Sequence, residues 1–152
     1  LALWAAARRP GDTSVERAAG ARPARKPPLR AVGVVSLAGI TDLTSYASAN
    51  GCGSAVVPLL GGTAAQVAER YRAASPIDRI PIGVPMRLVH GVADPIVPFA
   101  QAQEFASRAK AAGDAVTLSR VAGAGHFDVV APQAEAWSAV LEAVRAVANR
   151  GK

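Results

Sequence analysis

Cysteine is nearly absent from this chain: Cys52 is the single one in 152 residues, so neither an internal disulfide nor a multi-cysteine metal site can form. That fits a reducing compartment, and a cytoplasmic location is the expectation. Aromatic residues are scarce at 5%, and much of the 51% hydrophobic content is alanine, which points to a thinner core than the percentage suggests. No apolar run approaches the roughly 18 residues of a membrane span. Nor does a basic head followed by an apolar stretch and a small-residue cleavage site open the chain, so a soluble protein with no membrane partner is expected. What remains is enough chain for one domain with its own core.

The formal charge of +6 invites a nucleic-acid reading, but its distribution argues otherwise. Residues 1–30 hold seven basic side chains (Arg8, Arg9, Arg17, Arg22, Arg25, Lys26 and Arg30) against Asp12 and Glu16, so nearly all the excess is local. That segment is interleaved with Pro23, Pro27 and Pro28 and has no aromatic rings past Trp4 on which bases could stack. It reads as a solvated basic linker, with no nucleic-acid partner.

Hydrophobic patterning gives an order of elements. "LALWAAARRP" (residues 1–10) holds helix formers and stops at Pro10; residues 10–30 form a long basic, Pro-rich loop. "RAVGVVSLAG" (30–39) is a continuous apolar run, the pattern of a strand covered on both faces. Residues 41–75 read as an irregular, cap-like insertion. Within it Thr63 and Gln66 have capping-box spacing and predict a helix from Thr63, with Ala64, Val67, Ala68 and Tyr71 on one face, stopping before Pro76. "VPMRLVHG" (84–91) is a short strand. Pro98 opens a helix with Phe99, Ala102, Phe105, Ala109 and Ala112 on one stripe, closed by Gly113. "AVTLSRV" (115–121) alternates as a half-exposed edge strand would. Pro132 then starts a helix with Trp137, Val140, Leu141, Val144 and Val147 facing inward. Strands separated by helices call for right-handed crossovers, hence an α/β fold with a parallel sheet and flanking helices. In such sheets ligands gather at the carboxyl ends of the strands, where the loops "GVADPIVP" and "GAGHFD" both open.

Asp94 and His126 lie a few residues beyond consecutive strands. Adjacent strands run about 4.8 Å apart, so the two side chains can come within hydrogen-bond reach. A carboxylate on the Nδ1 proton of a histidine fixes its tautomer and leaves Nε2 free as a general base. Asp94 reads equally well as a turn former, since Asp-Pro starts turns. An exposed, partnerless loop histidine is the plain alternative for His126; Gly123 and Gly125 weigh against it by permitting unusual backbone angles. His90 reads as a packed structural histidine, and Asp128 as a local turn or cap residue. No cofactor and no metal site is expected.

The pair "LVHGVADPIVP" and "GAGHFD", about thirty residues apart with one helix between them, resembles the carboxy-terminal part of the α/β-hydrolase fold. The resemblance implies that Asp94 is the acid of a catalytic triad, after the fold's seventh strand, and His126 its histidine, after the eighth. "RYRAASPIDRI" (70–80) resembles the matching stretch of two subgroups, acetylesterase or carboxylesterase-like hydrolases and prolyl oligopeptidase-type serine peptidases. "LALWAAARRP" resembles the helix that follows the nucleophile elbow. Residues 1–152 are then a single partial domain: 1–9 the post-elbow helix, 10–30 the basic loop, 41–75 the insertion, and 76–152 the segment with the acid and the histidine.

The family's G-x-S-x-G pentapeptide occurs nowhere in the chain. "GCGSA" (51–55) does not replace it, and Cys52 reads as a small buried or half-buried thiol. The resemblance places the serine ahead of Leu1, together with the oxyanion donors. The chain alone is therefore expected to be nearly inert, and its strand at 31–37 to present an open apolar edge. The implied substrate is a small-molecule ester, with a peptide as the alternative; "GHFDVVAP" leans toward the ester. A non-catalytic binding module using the basic arm on an acidic partner is a third reading, testable by steep salt dependence. The sequence leaves the oligomeric state open.

Overall fold

The computed structural model describes residues 1–9, 30–47 and 51–149, so the basic loop lies outside the described residues except for Arg30. The short helix α1, Ala2–Ala6, comes first, followed by strand β1, Val34–Leu37. Next come α2 (Leu43–Tyr46), a 3-10 turn (Gly51–Ala55), α3 (Val56–Leu60), α4 (Ala68–Ala74) and a second 3-10 turn (Pro76–Arg79). Strand β2 (Met86–Gly91), helix α5 (Ala100–Ala111), strand β3 (Val116–Val121), a 3-10 turn (Asp128–Val130) and helix α6 (Trp137–Ala148) complete the order.

The strands pair in parallel in the order β1-β2-β3, with Val34 opposite Met86 and Met86 opposite Val116. Side-chain alternation divides the core into two layers. Val34, Met86 and Leu88 point to one face and pack with Leu3 and Ala7 of the α1 region and with Phe105 and Ala109 of α5. Val35, Leu37, Val89 and Val121 point to the other, against Val140 and Ala143 of α6. β2 is buried along most of its length, as a central strand should be. β3 is half-exposed, as its alternation predicts. β1 is only partly buried, and its outer edge pairs with no strand among the described residues.

Two helices start later than their sequence signals indicate. Gln66 does reach back to Thr63, its Oε1 accepting from the backbone N–H at 2.9 Å, but the turn it closes is not yet α-helical and α4 begins at Ala68. α6 begins at Trp137, five residues past Pro132, because residues 132–136 form consecutive turns. Its inward row is Ala136, Val140, Ala143 and Val147; Leu141 and Val144 fall on its flank and are 38% and 48% exposed, contrary to expectation. Ala112 is also exposed, just ahead of Gly113, whose φ of +86° ends α5.

One buried polar group explains how the 41–75 segment is fastened down. Gln101 on α5 accepts the backbone N–H groups of Thr41 and Asp42 at 2.9 and 2.8 Å, and donates to Ser45 Oγ at 2.9 Å. Thr41 Oγ1 donates back to the Gln101 carbonyl. Beyond this anchor, Tyr46, Val56, Tyr71 and Val97 form a third apolar cluster, which joins the segment to the loop after β2.

Candidate active site

Asp94 and His126 meet at the carboxyl edge of the sheet: His126 Nδ1 donates to Asp94 Oδ2 at 2.8 Å. The Asp94 side chain is fully buried and that of His126 is 25% exposed, so the acid is sealed in while the imidazole reaches solvent. Asp94 is also the turn former that Asp-Pro suggests. Its Oδ1 accepts the backbone N–H groups of Ile96 and Val97, each at 2.8 Å, and this locks the carboxylate to its own loop. The two readings of Asp94 are thus one arrangement, in which Oδ1 builds the turn and Oδ2 faces the histidine. Burial alone would push the Asp94 carboxyl up; the Val97 amide, His126 and the Ile96 amide outweigh it and hold it below the ordinary carboxylate value.

The loops carrying the two residues are joined backbone to backbone. Val92 N–H donates to the Val121 carbonyl at 2.9 Å and Ala93 N–H to that of Ala124 at 3.1 Å. Gly91 makes this possible. A Cβ there would collide with the carbonyl oxygen of Ala124 and come within 2.9 Å of that of Gly125. Sequence reasoning took Gly91 only as a strand boundary; a glycine directly before an acid-bearing loop was the available signal. Of the two glycines before His126, Gly123 uses a positive φ of +70°, whereas Gly125 does not. Gly125 N–H donates instead to Asp128 Oδ2 at 2.7 Å, which makes Asp128 the local turn residue its position suggests.

Asp94 orients the ring through Nδ1, and Nε2 of His126 has no hydrogen-bond partner among the described residues. This leaves Nε2 the nitrogen available for proton transfer. His90 is fully buried, as expected of a packed histidine, with Nε2 3.0 Å from the Val97 carbonyl oxygen. Cys52 is exposed on a 3-10 turn, contrary to the buried or half-buried thiol expected. Among the described residues no group of three His, Cys, Asp or Glu could hold a metal ion, and no helix is long and apolar enough to cross a membrane.

A cavity of about 660 Å³ opens between α1, α3 and α4, lined by Leu1, Trp4, Ile40, Leu43, Leu59 and Leu60 among others. Ile40, Leu43 and Leu60 belong to the apolar cluster that also holds Ile96 and Val97 of the acid loop. This shared packing joins the cavity wall to the acid loop, though neither Asp94 nor His126 lines the cavity itself.

The BD-FAE family model matches residues 3–109. No curated protein matches the sequence. Among solved structures, esterase 2 of Thermogutta terrifontis, phosphoramylated by tabun, is 23% identical with a TM-score of 0.64, over 93% of this chain and 47% of the esterase. The acylaminoacyl peptidase of Pyrococcus horikoshii is 24% identical with a TM-score of 0.60, over 73% of this chain and 19% of the peptidase. A puromycin hydrolase is 26% identical with a TM-score of 0.54, over 62% of this chain and 15% of that enzyme. The chain thus spans less than half the length of each of these proteins.

Proposed function

This chain belongs to the BD-FAE family and has the carboxy-terminal part of an α/β-hydrolase fold, and from that premise we propose that it supplies the acid and base of a serine hydrolase acting on carboxylic esters. The observation that carries the reading is the 2.8 Å bond from His126 Nδ1 to the buried Asp94 carboxylate. His126 Nε2 takes the proton of a serine hydroxyl as that oxygen attacks the ester carbonyl, then returns it to the departing alcohol. Asp94 fixes the tautomer and stabilises the imidazolium in between. The serine and the oxyanion donors come from outside these residues, since G-x-S-x-G is absent from them. The apolar cavity beside the 41–75 segment supports a wall for the acyl or alcohol group of the substrate.

A peptidase reading uses the same two residues on an amide, and the similarity to the acylaminoacyl peptidase favours it as the second choice. The esterase likeness spans more of the chain and supports the ester. The test is hydrolysis of short-chain p-nitrophenyl esters and of acylated or proline-containing peptides. The 152-residue chain should show no turnover above background. The same residues preceded by a strand and nucleophile elbow should hydrolyse the ester, and His126→Ala should lower turnover by about 10⁶. Ester turnover by the chain alone that vanishes in His126→Ala would show that the nucleophile lies within it.

A further inference from the structure

A second histidine, His90, approaches the same Asp94 oxygen as His126. It ends β2, and its side chain is wholly buried. Its Nε2 lies 3.0 Å from the Val97 carbonyl oxygen and 3.3 Å from Asp94 Oδ2, the oxygen that also accepts from His126. Both neighbours of Nε2 are acceptors, so Nε2 carries a proton. Nδ1 is buried and has no hydrogen-bond partner among the described residues. An imidazolium would bury a second N–H with nothing to receive it, at the full desolvation cost of that donor. The His90 and Phe99 rings meet edge to face with their centroids 5.7 Å apart, and the guanidinium of Arg120 lies 4.9 Å from the centre of the Phe99 ring. The acceptors at Nε2 and the unpartnered Nδ1 together select the tautomer with hydrogen on Nε2.

We propose that His90 is a positioning residue: a neutral imidazole whose Nε2–H tethers the acid loop through Val97 and stands beside Asp94 Oδ2, moderating the grip of that oxygen on His126. The proposal rests on the reading of Asp94 and His126 as acid and base, and it adds a third member that touches no substrate. Oδ1 is held by two amides of its own loop, so the loop fixes where the carboxylate lies; the N–H of His90 governs how much of the negative charge on Oδ2 faces the base. A neutral donor does this without the ion pair that an Arg or Lys at this place would form, which would draw the carboxylate away from His126.

Nitrogen-15 and low-field proton spectra of the 152-residue chain test this without an activity assay. A low-field proton on His126 Nδ1 reports the Asp94 bond; its absence from the wild type would overturn the acid–base reading and this inference with it. With that proton present, the His90 ring should show a protonated Nε2 and a bare Nδ1 at neutral pH. A protonated Nδ1 would overturn the proposal while leaving the acid–base pair intact. In His90→Phe, which keeps an aromatic ring and loses the donor, the His126 proton should move further downfield, because Oδ2 then has one donor fewer. His90→Gln, which keeps an N–H, should bring it back toward the wild-type position. An unchanged or upfield-shifted proton in a folded His90→Phe chain, or loss of the signal, would show that His90 only packs. Should His90→Phe fail to fold, the wild-type tautomer and the position of the proton in His90→Gln decide the matter.

Discussion

Replacing Asp94 by Asn changes one atom at a carboxylate that accepts from the Ile96 and Val97 amides and from His126, so the consequence can be worked through. Asn Oδ1 can still accept from the Ile96 and Val97 amides, now as neutral bonds in place of charge-assisted ones. Bonds to a charged group are worth about 1.5–3 kcal/mol and neutral ones about 0.5–1.5, so each of the two loses about 1 kcal/mol. At the Oδ2 position an NH₂ group would face His126 Nδ1, donor against donor, unless the imidazole changes tautomer. Removing a buried charge offsets part of this, which leaves a net destabilisation of about 1–3 kcal/mol at neutral pH. The pH dependence follows from the sign of the shift. The folded Asp94 carboxyl titrates below its unfolded value of about 3.9, so its stabilisation is complete above that value and is lost as pH falls through the folded one. Urea unfolding followed by the fluorescence of Trp4 and Trp137 should show wild type and Asp94→Asn converging as the solution is acidified. Two parallel stability curves from pH 7 to pH 3, or an Asn variant as stable as wild type at pH 7, would refute this account of the carboxylate. In a nucleophile-bearing enzyme the same change should cost on the order of 10⁴ in turnover, because the tautomer that suits the Asn amide carries its proton on Nε2, the nitrogen the base needs free.

Two more substitutions probe what holds the site in place. Gly91→Ala drives a methyl into the Ala124 carbonyl; it should destabilise the chain by about 1–3 kcal/mol in urea unfolding and shift the His126 ring resonances, whereas a silent variant would mean the two loops are not in contact. Gln101→Leu leaves the Thr41 and Asp42 amides without their acceptor. At about 1–3 kcal/mol for each stranded donor, the stability loss should be accompanied by fast amide exchange confined to residues 40–47, and uniform exchange would count against the anchor.

The sheet and its helices were legible because their signals are local. The apolar runs at 30–39 and 84–91 and the alternation of 115–121 are periodicities that the strands β1, β2 and β3 satisfy. Asp94 and His126 could be paired from sequence because each follows a strand by a short loop and the strands are neighbours in a parallel sheet. What was not legible depends on partners distant in the chain. Nothing local in Gln101 reveals that it caps a segment sixty residues earlier, and Gly91 gains its meaning only from the carbonyl of Ala124. Helix starts were misplaced where a proline or a capping pair began a turn that did not continue into a helix, as at Thr63 and Pro132. Leu141 and Val144 are apolar yet lie off the row that faces the sheet, so composition alone could not tell flank from core.

Because the stretches 91–94 and 121–126 are laced together along their main chains, they behave mechanically as a single bracket. An inserted or deleted residue in one would shear it against the other and part the acid from its imidazole, so drift in length is barred there unless both change in step. The 41–75 stretch is fastened instead to Gln101 of α5 and to the apolar cluster around Val97 and carries no such restriction, which leaves it the natural place for related proteins to differ in what they admit.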